Sequence, residues 1–511
     1  MDRLVSFNNT IFFSIFLSLL VFGGPLYASI ASLDSMKHEK PPVLTKHSIS
    51  IDGEAINYTV STGYLVLKKE DGTSRARIFY VAYTLDDVKD AAERPLTFSF
   101  NGGPGSSSVW LHLGVLGPRK VMMTDDGKTL PPPYKLIDNE YSWLDLTDMV
   151  FIDPVSTGFS RAVDEKEADE FHGVSGDIAS VGDFIRRYIS EKQRWASPKF
   201  VIGESYGTTR AAGLSAHLVS RYGIYLNGIV LVSAITDFQT ARFDAGNDLP
   251  FVTFLPSYAA SGWFHKKLAE PYQSMDLETF LEEVKTFART EYLTGLAMGD
   301  ELNKDRKEAL TKKLADYTGL SPLWISRANN RINIHKFTKE LLREDGQLIG
   351  RFDSRYTGTD MNLNGEYGER DPSYQPTIQG CFSATINDYL TRELGFKTDL
   401  PYEVLTGRVH PWSYDNARNR YLNTAKQLRS TMERNPDMKV WIANGYYDLA
   451  TPYYATEYTV SHMGLSPAVR DNIIMTYYPA GHMMYLQKSS LMKMKKEAEN
   501  FYEQAISELP E

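Results

Sequence analysis

The chain has 511 residues, of which 42% are hydrophobic, and a formal net charge of −9 at pH 7. This length suits one large core with an insertion, or two to three domains of average size. The acidic balance and the absence of long Lys/Arg runs give no reason to expect nucleic acid or an anionic membrane surface as a partner.

The N-terminus differs in composition from the rest of the chain. Arg3 precedes an apolar run from Ile11 to Val21, and small residues follow around Ala28 to Ser32. A short apolar segment with a small-residue exit is typical of a secretory signal peptide that is cleaved. The alternative is a membrane anchor, which needs roughly 20 apolar residues, and this run is shorter. We expect residues 1–31 to be removed from an exported protein that keeps no stable membrane anchor.

Two alternating segments near the start and six short apolar runs further on are candidate strands. Asp71 and Gly72 join the first two segments as a hairpin. The later runs have the wholly apolar pattern of strands that are buried on both faces of a mostly parallel sheet. The predicted strands are Tyr58–Leu67, Arg77–Tyr83, Leu96–Phe100, Met149–Ile152, Lys199–Ile202, Gly228–Val232, Val440–Ala443 and Ile473–Tyr478. The predicted fold is α/β, with a central sheet of about eight strands flanked by helices.

The spacing of the strand candidates is interrupted once, between Val232 and Val440. This part of the chain is rich in helix formers, aromatic residues and charges, and no segment in it has the pattern of a buried parallel strand. The simplest organisation is a large, mainly helical cap, residues 241–430. It is inserted into a core that is formed by residues 45–240 and 431–511.

The cysteine and histidine content limits which disulfides and metal sites the chain can form. Cys381 is the single cysteine, so an intrachain disulfide is excluded, which suits a bacterial periplasm better than a disulfide-rich eukaryotic compartment. We interpret Cys381 as a structural thiol. The ten histidines show no metal-binding spacing such as HExxH, so no metal and no other cofactor is expected.

Ser205 lies in a G-x-S-x-G motif, GESYG at residues 203–207, directly after an apolar strand. A helix-like run from Thr208 to Tyr222 follows it. In this context the motif forms a nucleophile elbow, a tight turn that lifts the serine hydroxyl above the sheet at the N-terminus of the helix. The sequence therefore predicts Ser205 as a catalytic nucleophile.

A serine nucleophile needs a base, and the base needs an acid that orients it. In enzymes with this elbow the three residues follow in the order Ser, Asp, His, each just after a strand. Asp448 follows the strand Val440–Ala443, and His482 follows the last predicted strand. Both lie at the carboxyl edge of the sheet, where they can converge on Ser205. His462 is a rival base, but it lies in a helical pattern and we interpret it as structural.

A glycine-rich segment, NGGPGSSS at residues 101–108, follows the strand Leu96–Phe100. In this position such a loop supplies one backbone N–H of an oxyanion hole, and the residue after the nucleophile supplies the second. Glycines let the backbone approach a tetrahedral intermediate closely. We predict that the N–H groups of Gly103 and Tyr206 form the hole. The alternative is an ordinary Gly/Pro turn.

Five blocks of the sequence together resemble the serine carboxypeptidase family, whose members have the α/β-hydrolase fold. The blocks are FNGGPGSSSVWLHLGVLGPR (100–119), YSWLDLTDMVFIDPVSTGFSR (141–161), FVIGESYG (200–207), IANGYYDLATP (442–452) and YPAGHM (478–483). A further stretch, FVTFLPSYAASGWFHKKL (251–268), is similar to bacterial members. The resemblance implies a periplasmic or secreted bacterial enzyme. It would use Ser205, Asp448 and His482 to hydrolyse the last bond of peptides with a free C-terminus.

The resemblance also implies how the substrate is recognised. Asn101, the N–H of Gly102 and Glu204 would bind the terminal carboxylate, and Met483 would line the same site. A carboxylate shares a hydrogen bond with Glu204 only when one of the two is protonated, which predicts the best peptidase activity at acidic to mildly acidic pH. Val115 stands where many members have an acid, and this difference predicts a less strongly raised pKa for Glu204.

Other functions are compatible with the same fold. A related serine esterase or acyltransferase has the same triad but takes an ester as its acyl donor, whereas Asn101, Gly102 and Glu204 together favour a free carboxylate. A non-catalytic binding or protective partner keeps the fold, but an intact triad argues against it. The resemblance further implies a homodimer, with no interface indicated by the sequence.

Overall fold

The computed structural model describes residues 41–506, apart from residues 369, 415 and 416. The predicted signal peptide, residues 1–31, lies outside the described residues. Within the described part of the chain, no helix is both long enough and apolar enough to cross a membrane.

Strands and helices alternate along much of the described chain. The strands are β1 (Val43–Ile51), β2 (Glu54–Lys68), β3 (Ser74–Leu85), β4 (Leu96–Phe100), β5 (Arg119–Val121), β6 (Leu136–Asp138), β7 (Asp148–Ile152), β8 (Arg161–Ala162), β9 (Lys199–Glu204), β10 (Gly228–Val232), β11 (Gln347–Ile349), β12 (Thr357–Thr359), β13 (Lys439–Gly445) and β14 (Ile473–Tyr478). The α-helices are α1 (Val109–Leu111), α2 (Val174–Glu191), α3 (Tyr206–His217), α4 (Leu249–Phe264), α5 (Leu277–Phe287), α6 (Leu293–Met298), α7 (Lys304–Thr318), α8 (Pro322–Arg327), α9 (Ile334–Glu340), α10 (Gly380–Asp388), α11 (Ala425–Arg434), α12 (Tyr453–Ser461), α13 (Pro467–Arg470) and α14 (Lys488–Ile506).

One large sheet organises the chain, with the strand order β1-β2-β3-β7-β4-β9-β10-β13-β14 and the short β8 paired to β3. The first three strands are antiparallel to their neighbours, and the six strands from β7 to β14 in this order run parallel. The predicted mostly parallel sheet is therefore confirmed. The path has nine strands rather than eight because β1, in which Leu44, Lys46 and Ser48 are exposed, lacks the apolar pattern of the other strands.

Both faces of the parallel strands are covered, as their apolar sequences require. Successive side chains of a strand point to opposite faces. In β7, Met149 and Phe151 belong to a core with α10 and α14, whereas Val150 and Ile152 belong to a core with α2, α3 and α11. This two-sided packing fixes the sheet, and the loops that follow β4, β9, β13 and β14 meet at its carboxyl edge.

Residues 241–430 are mainly helical. Helices α4 to α9 share a third core, in which Phe254, Phe280 and Tyr317 are buried. Among the described residues of this segment, the strands are the short antiparallel pair β11 and β12. Helix α10 packs against the sheet instead and buries Cys381 there. The division of the chain into core and cap at 240 and 430 remains a prediction.

Candidate active site

The GESYG motif forms a strand–turn–helix. β9 ends at Glu204 and α3 begins at Tyr206, and Ser205 between them has φ 59° and ψ −128°. A left-handed φ is uncommon for a residue with a side chain and marks a strained turn. The N–H of Ser205 donates to the Val232 carbonyl at 3.0 Å, which ties the turn to β10. Ser205 therefore lies at the carboxyl edge of the sheet and at the N-terminus of α3.

Asp448 and His482 form a buried pair in the loops that follow β13 and β14. The distance from His482 Nδ1 to Asp448 Oδ2 is 2.7 Å, and both side chains are almost fully buried. Asp448 Oδ1 accepts from the backbone N–H groups of Ala450 at 2.7 Å and Thr451 at 3.0 Å. These bonds hold the carboxylate in place, so that it orients the imidazole as the acid of a catalytic triad does.

Further contacts hold the loop that carries His482 and the carboxylate of Asp448 in place. The N–H of His482 donates to the Phe352 carbonyl at 2.6 Å, and the Ser233 hydroxyl donates to the His482 carbonyl at 2.6 Å. The Phe352 ring lies 5.0 Å from the imidazole, centroid to centroid. The Thr451 hydroxyl lies 2.8 Å from Asp448 Oδ2. His482 thus has little freedom to leave the orientation that Asp448 sets.

The glycine loop packs directly on the elbow. A Cβ added to Gly102 would lie only 2.4 Å from the Tyr206 nitrogen, so only glycine permits this approach. At its other end the loop is anchored because Asp153 Oδ1 accepts from the Ser108 N–H at 2.9 Å and from the Ser108 hydroxyl at 3.0 Å. Within the described residues, the N–H groups of Gly103 and Tyr206 donate to no protein acceptor. Both remain available to a ligand oxygen, as an oxyanion hole requires.

Asn101 and Glu204 are both buried beside this loop. The Asn101 side-chain oxygen accepts from the Leu111 N–H at 3.1 Å, whereas its Nδ2 has no hydrogen-bond partner in the described chain. Burial raises the pKa of Glu204 to about 7, although His482 and the hydrogen bond from the Tyr485 hydroxyl oppose the rise. Glu204 is therefore neutral through the mildly acidic range, even though position 115 holds Val115 instead of a second acid.

A cavity of about 720 Å³ brings most of the predicted site residues together. Those that line it are Gly102, Gly103, Glu204, Ser205, Tyr206, His482 and Met483. Asp448 and Asn101 are fully buried and do not border the cavity. The rival base, His462, is exposed at the end of α12, where its ring stacks on Tyr458 with centroids 3.8 Å apart. His462 does not border the cavity, which favours the structural interpretation.

The remaining walls of the cavity are aromatic and basic. The apolar part includes Trp110, Phe352, Tyr374 and Ile378. The basic part includes Arg242, His335, Arg351 and His410, while the acids are Asp244 and Glu204. Because Glu204 is neutral below its pKa, the positive charges of Arg242 and Arg351 outnumber the negative charge of Asp244 in the cavity at mildly acidic pH. Such a cavity suits a ligand that carries a carboxylate and an apolar side chain.

Four residues that support the site were missed by the sequence reasoning. Thr451 follows Asp448 by three residues, and this short Asp-x-x-Thr spacing is a signal that could have been used. Ser233 directly follows the predicted strand Gly228–Val232. Phe352 and Tyr485 reach the site through contacts with residues far away in the sequence, which no local pattern indicates.

A comparison with the sequence profiles of known protein families identifies the family of this chain. The sequence profile described as serine carboxypeptidase matches residues 51–495. The chain belongs to the serine carboxypeptidase family. The family that the motifs predicted is thereby confirmed, and the matched segment contains the elbow, the glycine loop and the buried Asp–His pair.

Individual serine carboxypeptidases match over shorter stretches. Serine carboxypeptidase-like 36 of Arabidopsis thaliana is 30% identical over 177 residues, which covers 33% of this chain and 33% of that protein. Pheromone-processing carboxypeptidase KEX1 of Saccharomyces cerevisiae is 33% identical over 156 residues, or 28% of this chain and 20% of that protein. The chain thus spans only 20% to 45% of the length of the curated relatives it matches.

A solved structure supports the fold. The crystal structure of the prohormone-processing carboxypeptidase KEX1 from Saccharomyces cerevisiae superposes with a TM-score of 0.53 at 17% sequence identity. The superposition covers 87% of this chain and 91% of that chain. The α/β-hydrolase fold predicted from the sequence is therefore confirmed.

Proposed function

We propose that the protein is a serine-type carboxypeptidase that hydrolyses the C-terminal peptide bond of peptides with a free C-terminus. The observation that carries this proposal is the buried Asp448–His482 pair, 2.7 Å apart, beside the elbow that bears Ser205. Membership of the serine carboxypeptidase family supports it. A hydrolase of this type needs neither a metal nor another cofactor.

The proposed reaction uses the triad twice. His482 Nε2 removes the proton from the Ser205 hydroxyl as Oγ attacks the carbonyl carbon of the last peptide bond. The N–H groups of Gly103 and Tyr206 stabilise the oxyanion, and His482 then protonates the departing amine. The resulting ester on Ser205 is hydrolysed by water that His482 deprotonates, which regenerates the free serine. Asp448 keeps the proton on Nδ1, so that Nε2 is free to act as the base.

Recognition of the terminal carboxylate is assigned to Asn101, Gly102 and Glu204, with Met483 as part of the wall. The Gly102 N–H and the Asn101 amide donate to the carboxylate, and Glu204 donates only in its protonated form. The raised pKa of Glu204, about 7, supports this role because it keeps the group protonated at mildly acidic pH. As the pH rises through 7, Glu204 loses its proton and two carboxylates repel each other.

A pair of matched substrates tests the proposal. Two blocked dipeptides with the same apolar side chains, one a free acid and one an amide, are assayed from pH 4 to 8 with the parent protein and with Ser205→Ala. We expect rapid hydrolysis of the free acid, little hydrolysis of the amide at mildly acidic pH, and loss of activity in the variant. Equal cleavage of amide or ester substrates would indicate an esterase or acyltransferase instead. No labelling by a reactive-serine probe across this range would indicate a non-catalytic binding protein.

We also propose that the protein is a bacterial-type member of the family that is exported to the periplasm or secreted. The apolar run Ile11–Val21, the small residues after it and the single Cys381 support this. N-terminal sequencing of the mature protein is expected to begin at Ser29 or Ser32, after cleavage that follows Ala28 or Ala31, and retention of Met1 would contradict this. The homodimer implied by the family resemblance is tested by light scattering on the purified protein, where a monomeric mass would contradict it.

A further inference from the structure

Tyr485 contacts Glu204 from outside the substrate cavity. It lies in the short 3-10 turn Met484–Leu486, just before α14, and its side chain is 1% exposed. Its hydroxyl donates a hydrogen bond to Glu204 Oε2, with an oxygen–oxygen distance of 2.5 Å. Burial and the charge of Glu204 raise the pKa of Tyr485 well above its ordinary value. The hydroxyl therefore stays protonated and acts as a donor.

The position of this hydroxyl is fixed by packing. A Cβ added to Gly114 would lie 2.5 Å from Tyr485 Cε2, so the tyrosine ring lies directly against the glycine backbone. Tyr485 does not border the large cavity, but it borders a separate cavity of about 150 Å³ together with Leu113 and Gly114. Glu204 thus has the substrate cavity on one side and the tyrosine hydroxyl on the other.

We propose that Tyr485 is a positioning residue that decides which oxygen of Glu204 carries the proton used to bind the substrate carboxylate. The proposal rests on the proposed function. Tyr485 donates its one hydroxyl proton to Oε2 in a hydrogen bond, so Oε2 acts as an acceptor whether Glu204 is charged or neutral. The proton of neutral Glu204 then resides on Oε1, from which it is donated to the substrate. In the charged form the same bond stabilises the carboxylate.

Several groups influence the pKa of Glu204, and some raise it whereas others lower it. His482 and Tyr485 stabilise the ionised form, whereas burial and the negative charge of Asp448 favour the neutral form. Removal of the tyrosine hydroxyl therefore removes one stabiliser of the ionised form. The pKa of Glu204 is expected to rise, and carboxylate binding should persist to higher pH.

The test is Tyr485→Phe, which keeps the ring on Gly114 and deletes only the hydroxyl. For the free-acid dipeptide, the alkaline limb of kcat/KM is expected to move up by about one pH unit, since the lost hydrogen bond is made to a charged group. At pH 5, where Glu204 is neutral in both proteins, KM for the free acid should rise about fivefold because the proton is no longer held on Oε1. kcat and the kinetics of an ester substrate without a free carboxylate should stay unchanged.

Tyr478→Phe is the matched control. The Tyr478 hydroxyl also donates to a glutamate, Glu497, in a partly buried pair, and that pair does not border the large cavity. This variant should leave both the alkaline limb and KM of the free acid unchanged. Should Tyr485→Phe fail to fold, site-specific 3-fluorotyrosine at position 485 gives a stronger donor. The limb is then expected to move to lower pH.

The results distinguish a failure of the proposed function from a failure of the role of Tyr485. A parent protein that cleaves free-acid and amide substrates equally removes the proposed function, and the role of Tyr485 with it. A parent that prefers the free acid, combined with an unmoved limb in a folded Tyr485→Phe, overturns only the role of Tyr485. An equal loss on free-acid and ester substrates also overturns it, because a merely structural residue would produce that result.

Discussion

The close contact between the glycine loop and the elbow predicts a large effect of Gly102→Ala. The new Cβ would lie 2.4 Å from the Tyr206 nitrogen and 2.7 Å from both the Glu204 oxygen and the Gly207 nitrogen, whereas real Cβ contacts essentially never fall below 3.0 Å. The loop and the elbow must therefore separate by at least about 0.6 Å at Tyr206. All three atoms are backbone, so no rotamer change relieves the overlap. The N–H groups of Gly103 and Tyr206, which we propose as the oxyanion hole, lie on opposite sides of this contact.

The expected loss follows from the misalignment of the oxyanion hole. Loss of one oxyanion donor costs about 10² to 10³ in rate, and a displacement of about 1 Å alone costs about 10². We expect kcat/KM of Gly102→Ala on the free-acid dipeptide to fall by about 10² to 10³, through kcat at the oxyanion hole and through KM because the Gly102 N–H also binds the carboxylate. Gly407→Ala is the control, since Gly407 lines the same cavity but has no atom within 4 Å of an added Cβ.

A comparison of the two alanine variants can contradict the role of Gly102. Thermal melting and circular dichroism first establish that both alanine variants are folded. If folded Gly102→Ala then retains activity within about threefold of Gly407→Ala, the loop does not form the oxyanion hole as described.

Three further results are expected. Asp448→Asn should lower kcat by about 10⁴ with little change in KM, because Asp448 keeps the proton of the His482 imidazole on Nδ1. Steady-state kinetics measures this, and a loss below tenfold would contradict it. Free-acid hydrolysis should fall as pH rises through about 7, where Glu204 loses its proton, and Glu204→Gln should abolish that decline; an unchanged profile in the variant would contradict the assignment. Gly158→Ala should lower the free energy of unfolding by about 3 kcal/mol, because its Cβ would lie 1.7 Å from Asp153 Oδ2 at a φ of +47°. Gly223→Ala, also at positive φ but in open space, should lose only about 1 kcal/mol in the same urea titration, and equal losses would contradict the clash.

The parallel strands could be predicted because burial on both faces requires unbroken apolar runs. Leu96–Phe100, Gly228–Val232 and Ile473–Tyr478 have the same bounds in the structure as in the prediction. β9 continues two residues beyond the predicted Ile202, because Gly203 and Glu204 still pair with β10 although neither is apolar. The elbow and the Asp–His pair were predictable because each follows such a strand directly.

Other features had no comparable local signal. β1 was missed because its polar residues face solvent and it is held by pairing with β2, a contact that only the folded chain makes. The Tyr485–Glu204 bond joins residues 281 positions apart. This bond also lowers the pKa of Glu204. In the sequence, the one indication about that pKa is that position 115 holds Val115 instead of an acid. Burial has the largest influence on that pKa, and burial depends on the packing of the whole site.

The central claim is that the protein removes residues from a free C-terminus through Ser205. It is tested most directly by incubating one long peptide and its C-terminal amide with the protein at pH 6, and by following both with mass spectrometry. We predict that the free peptide loses residues one at a time from its C-terminus, while the amide persists and Ser205→Ala leaves both intact. Internal or N-terminal cleavage, or equal processing of the amide, would contradict the account.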